Sequence, residues 1–162
     1  MNHILDTNVL MVANGDKSEQ ASLECIRNCA RLLLSIREGI NGAVVMDTDK
    51  TFLIKREYLK NIDPKKDLAG SRFLLELLKN PNLRIEISIT PQNGSFAEFP
   101  DDPRLANFDP SDRKWIALAR AYNHKHPNDN HSPHIAQASD TKWHNFEAIF
   151  KEYGILIDWI CE

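Results

Sequence analysis

A three-layer α/β/α domain around a mostly parallel sheet is what this sequence predicts, on three observations. Short apolar runs without alternation, Ile4-Leu5 and Val44-Val45-Met46, stop at the acids Asp6 and Asp47, as strands buried on both faces do where they leave a sheet. Between such runs lie stretches with an apolar residue every three or four positions, the period of an amphipathic helix. Strand and helix patterns alternate, and that alternation builds a parallel sheet with helices on both faces and right-handed crossovers.

The first strand is expected from His3 to Asp6, ending in the polar tip Asp6-Thr7-Asn8. A long helix follows over Glu19 to Arg37, with Leu23, Ile26, Ala30, Leu33 and Leu34 on one face. Gly39 and Gly42 separate it from the second strand, Ala43 to Met46, which reaches Asp47. Thr51 to Lys60 carries no breaker and reads as a helix; Asp63-Pro64 opens another that holds Phe73, Leu74, Leu77 and Leu78, since proline suits a first helical turn. Leu83 to Ile89 alternates apolar and polar residues, the mark of a strand with one wet face, at an edge or in a hairpin. Pro91 to Pro110 holds four prolines and reads as an ordered, irregular excursion, so that an insertion is expected over about 83–110. Ser111 is a candidate N-cap for a helix with Trp115, Leu118, Ala119 and Tyr122 at helical spacing. A polar loop over Asn123 to Pro133 leads to a short strand, His134 to Ala138. A helix from Lys142 to Tyr153 closes at Gly154, and a last strand runs from Ile155 to Ile160.

Composition agrees with one domain over residues 1–162: 42% hydrophobic and 27% charged residues with 6 Gly and 8 Pro describe a packed chain, neither disordered nor fibrous. No run approaches the roughly 18 apolar residues of a membrane helix, so no membrane partner and a cytoplasmic location are expected. A net charge of -3 excludes a general polyanion binder; any nucleic acid must be held locally. Of three cysteines, Cys25 and Cys29 sit four apart in a helical pattern, which suits two reduced thiols on one helix face.

The acids carry the chemistry. In an open parallel sheet the ligand crevice lies beyond the carboxyl ends of the strands. Asp6 and Asp47 close strands there, Asp140 follows the His134 strand, Asp112 starts a helix aimed at the same edge, and Glu57 can join from its own helix. Four or five facing carboxylates repel one another, by about 1 kcal/mol per close pair even in water, and need a compensating charge. Mg2+ or Mn2+ is the natural one, because hard cations take oxygen ligands and leave sites for water and phosphate oxygens.

Three segments resemble the acidic blocks of PIN-domain ribonucleases, in order and in spacing: Ile4-Leu5-Asp6-Thr7-Asn8-Val9-Leu10, the run from Phe108 through Asp112 to Ala119, and Ala138-Ser139-Asp140-Thr141-Lys142-Trp143. The resemblance covers nearly the whole chain. It implies a PIN-like fold and a metal-dependent endoribonuclease in which Mg2+ or Mn2+ activates water against single-stranded RNA, leaving a 5′-phosphate and a 3′-hydroxyl. Asp6, Asp112 and Asp140 correspond to the family's first, third and fourth acids, and Thr7, Asn8 and Ser139 to supporting polar groups. The second acid is Glu57 or, as a substitute, Asp47. An antitoxin or other inhibitor protein and a homodimer are further partners it suggests.

Each residue also has a plainer explanation. Asp6 can simply end a strand, Asp112 can serve the helix dipole, and Glu57 can pair with Lys60 on a wet helix face. His124, His126, His131 and His134 match no common zinc spacing and read as a solvated loop; Trp115 and Trp143 read as core. Two rival functions remain: an inactive PIN-like module that binds nucleic acid or protein, and a haloacid-dehalogenase-like phosphatase in which Asp47, within Val44-Val45-Met46-Asp47-Thr48-Asp49-Lys50-Thr51, is the nucleophile.

Overall fold

Among the described residues, five short strands lie side by side: β1 (His3–Leu5), β2 (Val44–Asp47), β3 (Arg84–Ile87), β6 (His134–Gln137) and β7 (Ile157–Trp159). Every pair is parallel, and the order is β3-β2-β1-β6-β7. The computed structural model describes residues 1–16 and 21–162. The sheet is the middle layer of an α/β/α sandwich. Every residue of β1 and β2 is buried, which is why these runs are apolar without alternation. β3 has a wetter pattern because it lies at the edge, paired only with β2.

Among the described residues, six α-helices complete the fold: α1 (Thr7–Ala13), α2 (Leu23–Arg37), α3 (Leu53–Asn61), α4 (Ala69–Lys79), α5 (Arg113–Lys125) and α6 (Glu147–Glu152). α1, α2 and α4 pack on one another, and α5 lies against β1, β2, β3 and β6. Residues 19 and 20 of the expected long helix lie outside the described residues; within them Ser22 caps α2 by accepting from the Cys25 amide at 3.1 Å.

Several expectations are corrected. Residues 84–87 belong to the central sheet, so the excursion begins after β3 rather than at 83. Its first part is a hairpin of β4 (Pro91–Gln92) and β5 (Ser95–Phe96). Asn93 and Gly94 turn it with φ of 51° and 74°, the left-handed pair that a two-residue hairpin loop requires. No helix starts at Asp63-Pro64, because the Asp63 carboxylate accepts from the Lys65 amide at 2.9 Å and makes a local turn instead. α4 begins at Ala69, where Asn14 of α1 accepts from the Ser71 amide at 3.1 Å. Ser111 is not a cap: its amide and hydroxyl both donate to Asp109 at 2.9 Å, forming a 3-10 turn, Pro110–Asp112, ahead of α5. The helix expected over 142–153 is a 3-10 turn, Thr141–Asn145, followed by α6. Trp143, Phe146 and Phe150, from the turn through α6, all set their rings edge-on to Phe108, 5.0–5.3 Å between centroids.

The cysteines depart furthest from expectation. Cys25 is joined to Cys161 by a disulfide that ties α2 to the segment after β7, and Cys29 alone is free, buried beside them. Adjacent positions on one helix face made a reduced pair plausible; the third cysteine, 136 positions away in sequence, is brought there by tertiary packing. Among the described residues no helix is long and apolar enough to cross a membrane.

Candidate active site

Because β1, β2, β3 and β6 run parallel, their carboxyl ends share one edge of the sheet, and the loops leaving them are thrown together. Asp6, directly after β1, is the N-cap of α1 and 7% exposed. Its Oδ1 accepts from the Asn8 amide at 3.0 Å and its Oδ2 from Gln137 Nε2 at 3.0 Å. Burial, with Asp112 and Glu57 as neighbouring charges, pushes its carboxyl up to about 7 even though both hydrogen bonds favour the anion.

Gln137, the last residue of β6, is fully buried and acts as a hub. While its amide nitrogen serves Asp6, its carbonyl Oε1 accepts from the Asn8 side chain and from the backbone amides of Ala138, at 3.0 Å, and Asp140, at 3.3 Å. Asn8 in turn accepts from the Ala138 amide at 3.2 Å. The loop bearing Ser139 and Asp140 is thereby fixed to the loop bearing Asp6. Asp140 caps the following turn by accepting from the Lys142 amide at 3.2 Å, and Ser139 O accepts from Thr141 N at 3.0 Å within it.

Asp112 ends the 3-10 turn before α5 and accepts from the Trp143 indole at 3.4 Å. Burial raises its carboxyl to about 6, with Asp109 and Asp140 pushing the same way and Lys114 opposing. Asp112 and Asp140 line one cleft of about 430 Å3 with Asp109, Lys142 and Trp143.

Glu57, on α3, reaches the Asp6 loop, where its charge acts on the Asp6 carboxyl. It does not pair with Lys60; it accepts from the Thr7 hydroxyl and from Lys114 Nζ at 2.7 Å. Lys114 is itself buried, with its ammonium also on the Ser111 carbonyl and 5.1 Å from the Trp115 ring. Tyr58, one residue on, donates to the Leu5 carbonyl at 2.6 Å and pins α3 to the end of β1.

Asp47 is occupied elsewhere. Its carboxylate accepts from the Thr51 hydroxyl and from the amides of Leu53, at 2.7 Å, and Ile54, at 3.0 Å. It thereby caps α3 across a turn in which Phe52 takes a left-handed φ of 52°. Such a conformation costs on the order of 1 kcal/mol or more for a residue with a side chain, and the triple acceptor holds it. The surface depression Asp47 lines is shared with Asp49, Lys55, Arg84 and Glu86, none of them a residue of the other acidic group.

Gln137, Lys114 and Tyr58 escaped the sequence reading. A glutamine closing an otherwise apolar strand and a lysine set between Asp112 and a buried tryptophan were the available signals. Trp115 and Trp143 are core, as expected, at 0% and 1% exposure. Of the histidines, His134 pairs with Asp158 at 2.7 Å and His126 lies tilted against the Tyr122 ring, 4.6 Å between centroids. Among the described residues, the one trio of potential metal-binding side chains whose donor atoms all come within 4.8 Å is Cys25, Cys29 and Cys161. The acids are therefore spaced more widely than a shared three-carboxylate cage. Mg2+ ordinarily takes one or two carboxylates with water filling the rest; Asp6 and Asp112, whose charges face each other, are the acids that would hold it in that way. Comparison with protein-family models, with curated proteins and with solved structures returned no match in any of the three.

Proposed function

We propose that this chain is a divalent-metal-dependent endoribonuclease of the PIN type, with Asp6, Asp112 and Asp140 as its acidic center. One observation carries the reading: a continuous hydrogen-bonded path runs from Asp112 through Trp143 and the Asp140 loop to Gln137 and Asp6, joining the three acidic segments of the sequence at one sheet edge. Asp6 and Asp112 would hold Mg2+ or Mn2+, with Asp140 beside them; such an ion, when bound, acidifies a water and neutralises charge on phosphate oxygens. The chain's own part is orientation. Gln137 and the Asn8 amide fix both oxygens of Asp6, the Trp143 indole holds Asp112, and the cleft of about 430 Å3 beside Asp112 and Asp140 would receive the RNA at the bond to be cut.

The Glu57–Lys114 pair favors a second reading, an inactive binding module. An ammonium already on Glu57 removes that acid from the metal set, leaving three. The phosphatase reading is weakened by Asp47, whose oxygens are taken up by backbone amides and a hydroxyl.

End-labelled single-stranded RNA incubated with the purified chain and Mn2+ or Mg2+ separates these readings. Cleavage to 5′-phosphate and 3′-hydroxyl ends, lost on chelation and in Asp6→Asn and Asp112→Asn variants that keep their circular dichroism, is expected. RNA binding without cleavage favors the module. Hydrolysis of p-nitrophenyl phosphate that vanishes only in Asp47→Asn favors the phosphatase.

A further inference from the structure

Cys25 and Cys29 stand one helical turn apart on α2, so their side chains share a face. Cys161, two residues beyond β7, reaches the same spot, with its Cα 4.6 Å from that of Cys25. The segment is held there by the Asn28 amide, which donates to the Ile160 carbonyl at 3.4 Å. All three sulfurs lie within 4.8 Å of one another; Cys25 and Cys29 are buried and Cys161 is partly exposed. A disulfide accounts for two of these sulfurs and leaves the third, packed in the core, as a free thiol beside them. As a thiol Cys29 is pushed up to about 12 by burial, a penalty that a bound cation reverses, since a coordinating thiol is deprotonated outright.

We propose that, once the Cys25–Cys161 disulfide is reduced, Cys25, Cys29 and Cys161 form a three-thiolate site for one copper(I) ion. Soft thiolates select copper(I) and zinc among biological cations. Structural zinc wants four protein ligands, and the group holds three, a number that suits a three-coordinate ion. Cys25, in the first turn of α2, also gains from the helix dipole as a thiolate. The partly exposed Cys161 provides the way in. Reduction by a phosphine adds two electrons to the sulfur–sulfur bond; the phosphine takes oxygen from water, and the two protons of that water complete the thiols. Copper(I) binding then releases the protons of all three thiols.

The test uses the whole chain, phosphine-reduced and oxygen-free, titrated with copper(I) against a chromophoric copper(I) chelator. One ion per chain is expected, with sulfur-to-copper charge-transfer absorption and three sulfur neighbors by X-ray absorption. Cys29→Ser and Cys29→Ala should each weaken binding by more than about a hundredfold, beyond what loss of an outer partner costs, with circular dichroism unchanged. The alanine variant keeps a small apolar side chain in case serine disturbs packing. Unchanged affinity in both variants overturns the site, as does a reduced chain that takes up no more copper(I) than one with all three cysteines replaced by serine. Tighter binding of zinc than of copper(I) overturns the three-coordinate assignment. None of these readouts depends on RNA cleavage.

Discussion

Lys114 Nζ stands 2.7 Å from Glu57 Oε1 at the acidic edge of the sheet, two residues along the chain from Asp112. It is the only cation paired with one of the candidate acids among the described salt bridges. It also works against the upward shift of Asp112.

Replacing Lys114 by Met should destabilise the fold by about 1–3 kcal/mol, because it strands a carboxylate whose side chain is 27% exposed and so less costly than a fully buried one. Adding Glu57→Gln should recover much of that loss, and the two substitutions should be clearly non-additive in urea unfolding. Additive effects would mean that the pair contributes nothing of its own. In Lys114→Met alone the Asp112 carboxyl should titrate at higher pH, followed by its carbon-13 carboxyl resonance.

Asp6 makes stability fall as pH rises. The folded chain holds its proton up to about pH 7, whereas an unstructured aspartate releases it near 3.8, so the stabilisation is complete below about 4 and is lost as pH passes through 7. In metal-free buffer the loss attributable to this group amounts to up to about 4 kcal/mol. Asp6→Asn retains a good N-cap residue and should flatten the decline between pH 4 and 8, measured by thermal melts with a chelator present. An equal decline in the variant would show that Asp6 is not the source.

Asp47 is expected to matter for folding rather than for chemistry. Asp47→Ala leaves the Leu53 and Ile54 amides without their acceptor, at about 1–3 kcal/mol for such buried donors. Cleavage of RNA per folded molecule should stay within about twofold. Activity lost with stability intact would reverse the assignment.

Gly70 lets α4 approach α1 closely: a Cβ there would strike the Leu10 carbonyl and lie 2.8 Å from Asn14 Oδ1. Gly70→Ala gains helix propensity yet should destabilise by about 1–3 kcal/mol, as overpacking does, and should disturb the Asn14–Ser71 contacts. A Tm at or above that of the parent would show that the helices can slide apart freely.

The layered fold was legible because burial on two faces and burial on one face leave different periodicities. Val44-Val45-Met46 and the α2 pattern could be read without any coordinates, and Leu83 to Ile89 announced its wet edge by alternating. Element ends were less legible where side chains compete with the backbone. Asp63 and Asp109 each capture local amides, which no pattern of apolar spacing reveals.

At the site, the order of residues was enough to say that Asp6 and Asp47 stand at strand ends, because a buried run must stop where the sheet does. What the acids touch was set by how the elements pack in space. Glu57 met Lys114 and not Lys60, Asp47 turned to cap α3, Gln137 became the link between Asp6 and the Asp140 loop, and Cys161 came to rest on α2. Hydrogen bonds and ion pairs act over a few ångströms of space, whereas Glu57 and Lys114, Gln137 and Asp6, and Cys25 and Cys161 are separated by 57, 131 and 136 positions along the chain, and hydropathy patterns carry no record of distances of that kind.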